Sequence, residues 1–252
     1  MIRKRFQFDN GRGELLSAAL EQPEGDARAM ALFAHCFTCS KEILTASRIS
    51  RALSRKGLAV VRFDFTGLGS SEGDFTNTNF SSNIEDLIAA SEHMREELQA
   101  PEVLIGHSLG GAAVLAAAKQ IPESRLVAVI NSPSDPSHLL RYLSEDLEDI
   151  KREGSATVTL AGRPFRIKKQ LLEDLAGHKL EASIRQLKKA LLVFHSPDDS
   201  IVRIENGLKI FEWAGGSKNF ITLKGADHLL RDPDDAEIVA NILAVWVSRY
   251  LE

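Results

Sequence analysis

Gly106-His107-Ser108-Leu109-Gly110-Gly111 follows the run Glu102-Val103-Leu104-Ile105 and opens an Ala-rich stretch with helical spacing. That order is strand, tight turn, helix. In this setting Gly-x-Ser-x-Gly forms a nucleophile elbow: the turn holds the serine in strained backbone geometry, and side chains at the flanking glycines would clash with neighbouring backbone. The Ser108 hydroxyl is then exposed at the end of its strand. The plainer reading makes Ser108 a helix cap in an ordinary strand-to-helix turn. What separates the two is whether the rest of the chain supplies a base, an acid and donors for an oxyanion.

Outward from the elbow, apolar runs flanked by Gly or Pro alternate with longer amphipathic stretches, the pattern of an α/β sheet. Arg3 to Phe8, a turn at Asn10-Gly11 and Glu14 to Leu20 read as a hairpin ended by Pro23. Ala29 to Ala34 and Leu58 to Phe63 are continuous apolar runs, as expected for strands buried on both faces. Helical spacing covers Ile43 to Lys56, stopping at Gly57, and Asn83 to Leu98. Further strands are Leu126 to Ile130, Ala190 to Phe194 and Asn219 to Leu223, before a closing helix from about Pro233 to Tyr250. The segment from about Pro133 to Lys189 is longer and more charged than one crossover needs, and reads as a lid inserted over the strand ends. Within it Leu139, Leu140, Leu143, Leu147 and Ile150 share one helical face, while Val158, Leu160, Phe165 and Ile167 alternate about a turn at Gly162-Arg163-Pro164.

The 252 residues, 44% hydrophobic and 26% charged with net charge −4, suit one globular domain over residues 1–252. No basic stripe points to nucleic acid, and no apolar run approaches membrane-spanning length. The basic start Met1 to Phe6 leads into Gln7, Asp9 and Asn10 rather than a signal-peptide core, so the expected location is cytoplasmic. Two cysteines, Cys36 and Cys39, argue against a disulfide-stapled secreted fold.

A serine that attacks an acyl group needs an imidazole to take its proton and return it to the leaving group. Among seven histidines, His228 in Gly225-Ala226-Asp227-His228 follows the last strand, on a loop emerging at the same sheet edge as Ser108. Chain order Ser, Asp, His is how this architecture supplies a triad. His35 and His107 also lie at that edge, while His93, His138 and His178 fall in helix or lid, where solvated or structural roles are expected. The acid should follow an intervening strand, and in His195-Ser196-Pro197-Asp198-Asp199 two carboxylates compete. For the oxyanion, Leu109 supplies one backbone N–H and the loop His35-Cys36-Phe37-Thr38 the other.

These residues resemble the serine-dependent α/β-hydrolases, a family of esterases and aminopeptidase-like enzymes. His35-Cys36-Phe37-Thr38 is similar to their His-Gly-Phe oxyanion loop, Asp64-Phe65-Thr66-Gly67-Leu68-Gly69-Ser70-Ser71 to their Asp-x-x-Gly-x-Gly-x-Ser loop, and Ala226-Asp227-His228 to their terminal Asp-His. The resemblance spans nearly the whole chain. It implies an α/β-hydrolase fold, a mostly parallel eight-stranded sheet flanked by helices with a small lid at residues 133–189. The family's His-Gly-x-x-Asp-x-x-Val, laid on His195 to Val202, selects Asp199, and its oxyanion donors map to Phe37 and Leu109. Cys36 stands where the family has glycine, which puts that loop's backbone in question. Phrases such as His35 to Lys41, Asn77 to Asn83 and Leu160-Ala161-Gly162-Arg163-Pro164-Phe165 resemble a subgroup often fused to an OsmC-like peroxide-handling domain. The resemblance thus implies a functional link to such a protein, with no second domain expected before Glu252.

Cys36-x-x-Cys39 is open to a structural role, redox modulation through the Phe37 amide, or metal ligation, the last lacking two further ligands. Gly67-x-Gly69 does not open a helix at once, so a dinucleotide fingerprint is not expected, and its glycines read as a turn beside the site. The expectation is a serine hydrolase acting on a small-molecule acyl ester or thioester, with Ser108, His228 and Asp199 as triad and neither metal nor cofactor. Its alternatives are a small-substrate amidase or peptidase, and a non-catalytic binding module on the same fold.

Overall fold

A computed structural model describes residues 1–160 and 162–251; Ala161, inside one phrase quoted above, and Glu252, the end of the expected domain, lie outside the described residues. The chain opens with an antiparallel hairpin, β1 (Ile2–Asp9) and β2 (Leu15–Gln22). Its loop is longer than the two-residue Asn10-Gly11 turn expected, because Asp9 pairs with Leu15. The Asn10 side chain turns inward, is 4% exposed and donates to Glu14 and Thr66, so a tertiary contact overrides the turn preference.

β3 (Ala29–Ala34), β4 (Leu58–Phe63), β5 (Val103–His107) and β6 (Leu126–Ile130) are buried at every position. The insertion adds an antiparallel pair, β7 (Ser155–Leu160) and β8 (Arg163–Lys168), after which β9 (Ala190–His195) and β10 (Lys218–Thr222) complete the main sheet. Its eight strands run β1-β2-β4-β3-β5-β6-β9-β10, antiparallel between β1, β2 and β4 and parallel elsewhere. Both faces are covered because period-2 alternation of apolar side chains feeds two cores. Ala29, Ala31 and Phe33 meet α1 (Leu44–Arg55) and the closing helix on one face; Met30, Leu32 and Ala34 meet α2 (Phe80–Glu97) and α3 (Leu109–Ala117) on the other.

Three further limits differ from those the apolar periodicity predicts. α2 begins at Phe80 rather than Asn83, because Asn79 accepts from Ser82 N at 2.8 Å while Ser82 Oγ accepts from Asn79 N at 2.9 Å. This capping box satisfies first-turn amides that apolar periodicity does not reveal. In the insertion, the stripe Leu139 to Ile150 divides into a 3-10 segment, Pro136–Leu143, and α4 (Leu147–Glu153). The turn expected at Gly162-Arg163-Pro164 is tighter, since Arg163 and Pro164 already pair with Leu160 and Thr159. α5 (Lys169–Gly177) packs on α2, and α6 (Leu180–Arg185) packs on α3. α7 (Glu205–Trp213) and α8 (Pro233–Leu251) complete the helices. No helix among the described residues is long and apolar enough to cross a membrane.

Candidate active site

At the β5–α3 junction Ser108 has φ +55° and ψ −126°, outside the regions L-residues ordinarily occupy. The glycines around it leave room for nothing larger. A Cβ on Gly106 would come within 2.4 Å of Gly110 O, and one on Gly110 within 2.4 Å of Ala34 O and His35 O. Ser108 therefore sits where backbone closes in from three sides, with its hydroxyl in a cavity of about 700 Å³.

Two loops from distant parts of the chain meet that hydroxyl. His228, on the loop between β10 and α8, has Nε2 3.0 Å from Ser108 Oγ and Nδ1 2.7 Å from Asp199 Oδ2. Since a carboxylate only accepts, Nδ1–H donates to Asp199, which leaves Nε2 to accept the Ser108 hydroxyl proton. The other Asp199 oxygen accepts from Ile201 N at 2.8 Å and Val202 N at 2.9 Å. Burial raises the Asp199 pKa, but the bond from His228, electrostatic attraction to that ring and the two amides outweigh that and hold it below the usual carboxylate range. Asp198 is turned away: it is exposed, and its carboxylate accepts from Gly225 N at 2.9 Å.

A second layer positions the imidazole. His107 Nε2–H donates to His228 O at 2.8 Å, Asn131 Nδ2 donates to the same oxygen at 3.1 Å, and Ser196 Oγ donates to Ala226 O at 2.6 Å. Burial, then the neighbouring His228 charge, pushes the His107 pKa down from 6.5 to about 3, so it stays neutral beside the site. Burial also lowers the pKa of His35 and His195. Between pH 6.5 and 3 the unfolded chain takes up a proton at His107 that the folded chain refuses. Stability therefore falls as pH drops through that window, by up to roughly 1.4 kcal/mol per pH unit from this group. Asp199, with its depressed pKa, adds stability above the ordinary carboxylate range and loses it only further down. Thermal unfolding followed from about pH 7.5 to 5 should show Tm falling with acid. His107→Gln, which keeps a donor at the Nε2 position, should show a shallower fall. A Tm flat over that range in the wild type would contradict the account.

The loop after β3 carries the remaining parts. Cys36 and Cys39 are joined by a disulfide, with Cα atoms 5.4 Å apart, and Cys39 N donates to Cys36 O at 3.2 Å to close the turn. The residue with positive φ is Thr38, at +56°, which is why cysteine is tolerated where glycine is usual at position 36. Phe37 N and Leu109 N donate to no other described residue, leaving both amides for a ligand. Behind the loop runs a buried ionic chain. Arg62 pairs with Glu21 at 2.6 Å and donates to Lys41 O at 2.5 Å, while Lys41 Nζ pairs with Asp64 at 2.5 Å. A Cβ on Gly69 would fall 2.2 Å from Asp64 Oδ2, so the Gly67-x-Gly69 turn wraps this carboxylate and supports the loop from behind, rather than lining the cavity. Among the described residues, the four non-glycine ones with positive φ, Thr38, Ser108, Asn131 and Leu230, all flank these parts, as expected where a site stores backbone strain.

The insertion forms the opposite wall. His138 donates to Ile201 O at 2.9 Å, Tyr142 donates to the same oxygen, and Arg163 donates to Thr38 O. His138 is therefore part of the cavity wall, whereas His93 stacks against Phe6 and Phe8 and His178 bonds Ser81, neither of them lining the cavity. Asn131, Tyr142 and Arg163 carry no motif visible in isolation. For Asn131 the available signal is an asparagine at the end of a buried strand, a residue that tolerates left-handed backbone. Much of the rest of the wall is apolar, with Ile43, Leu109, Pro133, Leu139, Leu160 and Leu229 among its side chains, while Glu42, Asp227 and Arg231 add charge to it.

This arrangement has counterparts. The chain is 46% identical to the esterase domain of a Rhodothermus marinus protein, with a TM-score of 0.81 and both chains covered completely. It is 23% identical over 236 residues to the mouse palmitoyl-protein thioesterase ABHD10, named as mitochondrial, covering 90% of this chain and 78% of that relative. Est1E from Butyrivibrio proteoclasticus, solved with ferulic acid, shares the fold at 18% identity, with a TM-score of 0.80 over 98% of this chain and 99% of that one. A model of the alpha/beta hydrolase family matches residues 31–242. With that match spanning both Ser108 and His228, the chain belongs to the alpha/beta hydrolase family and is a hydrolase.

Proposed function

We propose that the protein is a serine esterase or thioesterase that works through an acyl-enzyme. The observation that carries this reading is the hydrogen-bond chain Ser108–His228–Asp199 opening into a largely apolar cavity of about 700 Å³. Ser108 Oγ attacks the acyl carbon as its proton moves to His228 Nε2, and Asp199 stabilises the imidazolium without taking the proton. The carbonyl oxygen, now negative, is held by the Phe37 and Leu109 amides. Collapse breaks the bond to the alcohol or thiol, which leaves with the proton from Nε2. Water then repeats the sequence on the acyl-serine, releasing a carboxylic acid and restoring the hydroxyl. The apolar wall suits an acyl chain, and the names of the Rhodothermus marinus and mouse relatives support ester or thioester substrates.

The test joins a fluorophosphonate probe to a panel of p-nitrophenyl esters and acyl thioesters of graded chain length. The expected result is labelling of the wild type that vanishes in Ser108→Ala, with hydrolysis of one acyl-length class and far slower cleavage of matched amides. Absence of both labelling and turnover would favour a non-catalytic module on this fold.

A further inference from the structure

Arg163 stands at the start of β8, in the inserted hairpin, 125 residues from the oxyanion loop that its guanidinium reaches. It donates to Thr38 O, while its Cζ lies 5.2 Å from the centre of the Phe165 ring. Phe165 meets Phe75 edge-on at 5.0 Å, and Phe75 meets Phe37 at 5.6 Å. The hairpin is thus tied to the loop twice, once by a charge-assisted hydrogen bond and once through aromatic packing that ends on Phe37 itself. Lys168, at the far end of β8, fixes the same strand by donating to Asn77 Oδ1 at 2.5 Å, next to Phe75.

The held segment is one that needs holding. Thr38 is β-branched and has φ +56°, a conformation that is strained for such a residue and persists only when its surroundings enforce it. The Cys36–Cys39 turn is closed at both ends by the disulfide and the Cys39 N to Cys36 O bond. Any relaxation of Thr38 toward negative φ must therefore be taken up at Phe37, whose amide is the proposed oxyanion donor. The bond from Arg163 opposes that relaxation by fixing the direction of the Thr38 carbonyl.

We propose that Arg163 is a positioning residue for the oxyanion site: it couples the seated hairpin to the aim of the Phe37 amide. This rests on the serine hydrolase reading above. Because the amide matters only once the acyl oxygen carries charge, the effect belongs in kcat and not in ground-state binding.

The experiment compares wild type, Arg163→Ala, Arg163→Lys and Arg166→Ala. Arg166 is exposed on the same strand and, among the described residues, its side chain bonds only Ser155 in β7, so it reports on hairpin integrity. Two quantities are read: steady-state kinetics on a p-nitrophenyl ester, and inhibition by an alkyl boronic acid, whose adduct on Ser108 places an oxygen where the oxyanion would sit. Arg163→Ala should lower kcat roughly tenfold to a hundredfold, with KM little changed, and weaken the boronic acid by a similar factor. Arg163→Lys should recover part of both, and Arg166→Ala should stay near wild type. Unchanged kcat and inhibition in Arg163→Ala, a loss wholly in KM, or an equal loss in Arg166→Ala would each overturn the proposal. A wild type without turnover or Ser108-dependent labelling would instead overturn the hydrolase reading, and this inference with it.

Discussion

Ser108→Ala should reduce turnover of an activated ester by at least about 10⁴-fold, with His228→Ala falling comparably and the double variant little further. The reason is geometric. His228 Nε2 bonds Ser108 Oγ at 3.0 Å, and the other hydroxyls of the cavity wall, those of Thr38, Ser40, Tyr142 and Ser200, have no bond to that nitrogen. Removing either member leaves the other with no proton partner, so the two act as one unit and their losses do not add. The fold should survive. Ser108 N still donates to Ile130 O at 2.9 Å, and neither the elbow glycines nor the disulfide depends on the hydroxyl. Circular dichroism and unfolding midpoints, measured alongside burst and steady-state kinetics, separate lost chemistry from lost structure. A Ser108→Ala protein within tenfold of wild-type kcat would remove Ser108 from the mechanism.

Asp199→Asn should cost about 10⁴-fold in kcat, against no more than a few-fold for Asp198→Asn. The magnitude follows from which amide atom can face which partner. Asp199 Oδ1 accepts from the Ile201 and Val202 amides at 2.8 and 2.9 Å, so an asparagine must keep its carbonyl oxygen there. Its NH₂ then points at His228 Nδ1, which lies 2.7 Å from Oδ2 in the native chain. Facing a donor, Nδ1 must become the acceptor, and the ring proton moves to Nε2. The imidazole then offers Ser108 a proton where it must take one. Asp198 has no such coupling: among the described residues its carboxylate accepts only from Gly225 N, and an asparagine oxygen there accepts equally well. Parallel measurement of kcat for the two variants decides the assignment, and the reverse ranking would transfer the role to Asp198.

Much of this site was legible before any fold was known, for reasons that are local. Strand, turn and helix around Ser108 follow from glycine spacing, since no side chain fits where Gly106 and Gly110 meet backbone at 2.4 Å. His228 could be ranked because it follows a strand whose end shares one sheet edge with Ser108, and Asp199 because the family's His-Gly-x-x-Asp-x-x-Val spacing selects it over Asp198. Elements whose limits depend on partners read less well. The Asn10 turn, the start of α2 and the split of Leu139 to Ile150 all turn on side-chain bonds or packing that apolar periodicity does not register.

The residues alone determined the alternation of strands and helices, the elbow and the candidate acid, base and nucleophile. Each is set by interactions within a few residues or by an order along the chain. The tertiary structure turns Asp199 rather than Asp198 to the imidazole, as the family spacing implies, and it alone decided that Thr38 rather than Cys36 bears the strained backbone and that His107 and Asn131 hold the His228 loop. It alone brought Arg163 onto the Cys36–Cys39 loop. These contacts join residues 97 to 125 positions apart, apart from the 29 between Asp199 and His228. At such separations hydrogen-bond partners are chosen by how the sheet edge gathers its loops, which no local pattern of the chain encodes.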